Sequence, residues 1–199
     1  MARKGPVTTD TSKIVLGLAQ VRIGASAANI SFASRKLTSS DSIGALANTK
    51  FVGNVDWFKL ESGFPLLEDY TIPIREAAHL ECAFKEIGPD NLALAYGYDP
   101  SAAPYSGYGA HSGEVPLGAR SAPAYVRMEA LYTYPNGTDF MTIIFPRAQV
   151  SAAVEMDLAA EDAAAVPVII EGKRADSDMA GGHAIWDNRP NGRIYWDQA

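Results

Sequence analysis

The residues best suited to chemistry in this chain are three histidines, one cysteine and a few carboxylate pairs. His79, His111 and His183 could together hold a metal ion, but none stands at ligand spacing to another. Cys82 lies in the alternating run His79-Leu80-Glu81-Cys82-Ala83-Phe84, where it reads as a buried, inert thiol without the neighbours that activate a nucleophile. A lone cysteine also forms no intrachain disulfide and no thiolate cluster. Glu68-Asp69, Glu161-Asp162 and Asp176/Asp178 read as solvated loop acids, with no sign of a buried pair whose pKa values are split.

Other patterns fail at one essential position. His79-x-Glu81 matches the opening of the zinc-deaminase signature, whose later C-x-x-C one cysteine cannot supply. Gly107, Gly109 and Gly113 miss the dinucleotide-binding spacing by one residue, and no strand–turn–helix unit surrounds them. Between Gly109 and Gly113 the centre is His111 instead of the serine of a nucleophile elbow. The sequence therefore assigns no catalytic, cofactor-binding or metal residue, implies no cofactor, and is not expected to encode an enzyme.

The elements around these residues are mostly strands. The clearest is a hairpin at 124–150, AYVRMEALYTYPNGTDFMTIIFPRAQV, turning at Pro135-Asn136-Gly137. Asn-Gly favours a turn with positive φ at both central residues, which would fold Tyr134 against Thr138. Neither alternating set of this ribbon is wholly polar, so both faces should be covered, as in a sheet built into an assembly. Further strands are expected at Ile14–Ile23, Phe51–Phe64, Tyr70–Ile74, Ala78–Ile87 and Val166–Ile170. One short helix is expected after Asp90, with Leu92, Ala95 and Tyr96 inward and Gly97 at its end.

These elements predict a mainly β fold divided into a flexible N-terminal arm (1–12), a β domain (13–175) and a C-terminal extension (176–199). Within the domain, 25–50 and 98–123 read as long loops, and a loop of that length is either mobile or ordered by a partner. The net charge of −6 argues against a protein that grips phosphate backbones. No stretch approaches a membrane-spanning length, and polar residues break up the early apolar run, so a cytoplasmically made chain without a signal peptide is expected.

Three stretches taken in order resemble the tail tube (major tail) proteins of tailed bacteriophages. They are Val52-Gly53-Asn54-Val55-Asp56-Trp57-Phe58 with Glu61-Ser62-Gly63-Phe64-Pro65; the run to Phe84-Lys85-Glu86-Ile87 followed by Asn91–Gly97; and Arg127–Val150 followed by Val154-Glu155-Met156 and Val166-Pro167-Val168. The resemblance covers roughly residues 50 to 175. It implies a β-sandwich or barrel-like subunit with one flanking helix and terminal arms. It further implies homohexameric rings stacked into a virion tube, other tail proteins (tape measure, terminator, distal tail) as partners, and DNA passing without sequence-specific binding. On this reading the hairpin 124–145 and strand 51–60 supply the inner sheet, 25–50 reaches the next ring, and Trp57 and Phe58 are buried, in the core or else at an interface. Alternatives are another virion structural role (capsid decoration or tail terminator) or a carbohydrate-binding β-sandwich stacking sugars on Tyr105, Tyr108 and Trp186.

Overall fold

A computed structural model describes residues 15, 17, 19–99, 114–117, 122–151, 154–156, 158 and 164–197. The 1–12 arm, most of the 98–123 loop, His111, Tyr105, Tyr108 and Glu161-Asp162 lie outside the described residues.

The fold is mainly β, as expected, with 47% of residues in strands. Seven antiparallel strands, β1 (Gln20–Ala25), β2 (Leu46–Ser62), β3 (Leu67–Phe84), β4 (Val126–Thr133), β5 (Phe140–Val150), β6 (Val166–Gly172) and β7 (Arg193–Asp197), form one sheet. The order is β1-β4-β5-β6-β3-β2, with β7 pairing the first half of β5. The outer strands approach each other: Ile43 N donates to Val21 O, Ala19 N donates to Thr49 Oγ1, and Arg22 bridges Ser42. The sheet curls in this way around its core but does not close into a barrel.

Alternation along the strands sends Val21, Ile23, Met128, Ala130, Phe145, Leu80, Phe84, Val168 and Ile170 into one apolar core. The helix α2 (Pro89–Ala95) adds Leu94 and Ala95 to it. Pro89 occupies the first helical position, where its missing N–H costs nothing, and Gly97 leaves the helix at φ +81°. Ala93, Leu94 and Ala95 are its buried apolar face and Leu92 packs partly against the core, so of the expected inward residues only Tyr96 is not among them. A second, four-residue helix, α1 (Ser26–Asn29), follows β1 directly.

The turn at Pro135-Asn136-Gly137 departs from expectation. Tyr134 N bonds to Asp139 O, and Gly137 N to Tyr134 O, so the loop is four residues closed by Asp139 instead of Thr138. Of the two residues Asn136 and Gly137 only Gly137 has positive φ; the chain turns instead at Pro135-Asn136, where the φ of about −65° that proline imposes suits the first central position of the Tyr134–Gly137 turn. Asn136 Oδ1 instead accepts from the N–H groups of Thr138 and Asp139.

Three further expectations are corrected. The strands predicted at 70–74 and 78–87 are one strand, β3, and β2 begins at Leu46, inside the supposed 25–50 loop. The rest of that loop packs on its own sheet. The described residues 176–197 are part of the domain and not an extension, since Trp186 is fully buried with Ile30, Ile144 and Ala175, and β7 is a strand of the sheet. The hairpin of β4 and β5 is covered on both faces as predicted, but the cover comes from this chain: the segment after β1 and the segment before β7 lie over its second face.

Candidate assembly surface

The expected chemistry-bearing residues stay apart. His79 Nε2 lies 3.2 Å from Glu81 Oε1 on β3, whereas His183 caps the turn at Ala184–Trp186 by accepting from Ile185 N. Cys82 is buried and unbonded to sulfur, and loss of solvent pushes its thiol up to about 12. Asp176 and Asp178 both pair with Arg174, but only Asp178 is on the surface; Asp176 is buried, which corrects its reading as a solvated loop acid. Among the described residues no three His, Cys, Asp or Glu are grouped to hold a metal ion. No helix among them is long and apolar enough to cross a membrane. Trp186 cannot stack on a sugar, because it is wholly buried and its Nε1 donates to Ile30 O at 2.6 Å.

What the structure brings together is an exposed apolar ribbon. β2 and β3 pair along their whole length, but only their proximal ends sit in the sheet, where β6 pairs β3 between His79 and Phe84. Beyond that point the two strands leave the sheet as an arm, tied at its root by Asn191 Nδ2, which donates to Glu76 O at 3.2 Å. No residue from Gly53 to Glu76 is buried, and twelve residues of β2 beyond Lys50 correspond to roughly 35 Å of extended chain.

The arm is two-faced. On one side of its outer half Lys59 Nζ binds Glu68 Oε2 at 2.7 Å and Thr71 Oγ1 donates to Glu68 Oε1, a polar surface. The Lys59 ammonium and the Thr71 hydroxyl hold the Glu68 carboxyl below its usual value. Register places Phe58 opposite Ile72 and Leu60 opposite Tyr70 on the other side. All four are exposed, and with them Trp57, Phe64, Leu66 and Leu67. Phe64 at the tip touches nothing that shields it. The reading of Trp57 and Phe58 as core residues is corrected: in the single chain they are 56% and 50% exposed.

Backbone groups are uncovered too. Among the described residues Leu67–Ala78 have only β2 as ladder partner, and β7 has only β5. Such edges are templates for another strand. A two-stranded ribbon is marginal alone in water, and it gains stability from a third strand or a covering surface.

At the arm root the curled sheet leaves a cavity of about 220 Å³. Phe51 and Ala78 of the arm form one wall, Ile143 and Phe145 of β5 another, and Gly192 and Ile194 a third. Sequence reasoning missed both the tip and this cavity. Gly63 and Pro65 signalled only a strand end, and the cavity joins residues from three distant segments. No protein family and no curated protein sequence matches this chain.

Proposed function

We propose that this chain is a structural subunit that self-associates through the β2–β3 arm and the open strand edges, and that it serves as the tail tube protein of a bacteriophage virion. One observation carries the reading: an arm with an unshielded apolar face, Phe58, Leu60, Tyr70 and Ile72, and an unshielded apolar tip. A lone subunit leaves this surface in water at a cost, and apolar patches of this kind mark interaction sites. Covering four half-exposed side chains contributes roughly 4 kcal/mol per arm before the entropy of association is subtracted.

In the tube, hexameric rings stack, DNA passes through the lumen, and the tape measure, terminator and distal tail proteins meet the ends. The role of reaching the next ring falls to the arm in this proposal. Residues 26–37 are unsuited to it, since Arg127, Glu129 and Trp186 hold them on their own sheet. An acidic subunit suits a lumen that releases DNA.

Limited trypsin digestion tests this. Lys59 and Arg75 are exposed arm residues, so dilute protein should be cut there and concentrated, assembled protein should resist. Equal cleavage in both states contradicts the proposal.

A further inference from the structure

We propose that the arm tip, Phe64 to Leu67, seats in the arm-root cavity of a second copy of this chain. The inference rests on the self-assembly reading and names the contact that drives it.

The two surfaces match in chemistry and size. The tip presents Phe64, Leu66 and Leu67, all exposed. The cavity is walled mostly by apolar residues, Phe51, Ala78, Ile143, Phe145 and Ile194, with Asn191 and Arg193 also lining it, and its volume is about 220 Å³. An apolar cavity of about 150 Å³ takes a benzene molecule, so the Phe64 ring fits with space for a neighbouring methyl group. Gly192 lets the chain run close to β5 at this wall, since a Cβ there would meet Ile144 O at 2.1 Å.

Geometry excludes docking within one molecule. The tip stands roughly 35 Å along an extended ribbon from its own root, and folding back would break the β2–β3 ladder. Each copy therefore gives a tip at one end and offers a cavity at the other. A contact between two different patches does not saturate in a dimer. It closes into a ring or propagates as a filament, which is the growth a tube requires. The unpaired edges of β7 and outer β3 lie beside the cavity and beside the tip, so strand pairing can extend the same contact.

The test is crosslinking of full-length protein in a Cys82→Ala background. Leu66→Cys with Ile194→Cys, under mild oxidation, should give a ladder of dimers, trimers and larger species. Each single cysteine should stop at dimers, and Leu66→Cys with Ser40→Cys, a pair remote from the cavity, should give no ladder. Phe64→Asp should raise the concentration needed for assembly by about tenfold or more while leaving the monomer folded. If the wild type assembles but the tip–cavity pair crosslinks no better than the remote pair, this contact is overturned and the self-assembly reading stands. A wild type that remains monomeric overturns both.

Discussion

Arg127 and Glu129, two residues apart on β4, form a fully buried ion pair with Nε 2.7 Å from Oε1. Neither has any exposed surface, and each also binds the chain segment that covers it. The Arg127 guanidinium donates to the carbonyls of Asn29, Phe32 and Ser34, while the Glu129 carboxylate accepts from the N–H groups of Lys36 and Leu37. Burial draws the Arg127 guanidinium below its usual value, and the Glu129 carboxylate acts in the opposite sense. The pair thus substitutes for the water that would otherwise solvate five backbone groups between Asn29, at the end of α1, and Leu37.

Removing one partner should cost far more than removing both. Glu129→Ala leaves a buried cation and two unpaired N–H groups, and should lower unfolding stability by about 3–5 kcal/mol in urea titration. In Arg127→Met/Glu129→Leu the stranded charge is gone, so stability should recover in part. Lys36 and Leu37 lose their anchor in both variants and should become sensitive to protease, whereas Asn29, Phe32 and Ser34 lose theirs only in the double variant. A double variant no more stable than Glu129→Ala would contradict this account of the pair.

Phe58→Ser/Leu60→Thr/Tyr70→Ser/Ile72→Thr should separate folding from assembly. These side chains meet water in the isolated subunit, so near-UV circular dichroism of the core should be unchanged and global stability should move by less than about 1 kcal/mol. Size-exclusion chromatography should show loss of assembled species. Assembly equal to wild type would remove the arm face from the interface.

Trp186→Phe retains most of the buried ring but leaves Ile30 O without its donor, so a loss of about 1–3 kcal/mol is expected. Trp186→Ala also empties the cluster with Ile144 and Ala175, for about 3–5 kcal/mol. Differential scanning calorimetry checks both. No change in melting temperature for Trp186→Ala would mean that the 176–197 segment contributes nothing to the fold.

Cys82 sets a pH dependence of defined sign. Its folded thiol is pushed up to about 12 from 9.0 by burial. Below pH ~9 both states hold the proton and the thiol adds no slope; between the two values only the unfolded chain releases it. Stability should therefore fall by about 1.4 kcal/mol per pH unit in that window. Urea titrations at pH 8 and pH 10 should show a smaller decline for Cys82→Ala than for wild type. Equal declines would show that the thiol does not titrate differently in the two states.

The parts of this fold that were legible in the sequence are those written as alternation. β4, β5, β6 and the core half of β3 each repeat apolar residues with period two, and α2 is bracketed by Pro89 and Gly97. The path of 26–37 was not legible, because Arg127 and Glu129 hold it through backbone carbonyls and amides, which leave no side-chain pattern. Nor was the arm. Alternation marks Phe58, Leu60, Tyr70 and Ile72 as one face of a ribbon, yet it cannot say whether that face meets the chain's own core or another molecule. Trp186 and β7 were hidden for a third reason: Trp186 sits in a Gly-rich stretch, and Arg193–Asp197 is too short to stand out from the loop around it.

Negative-stain electron microscopy of the purified full-length chain, imaged over a range of concentrations, tests self-assembly most directly. Stacked rings or long hollow tubes, appearing without ligand or partner as concentration rises, are the predicted result. A population of single particles of monomer size at high concentration, with the β2–β3 arm still open to trypsin, would contradict it.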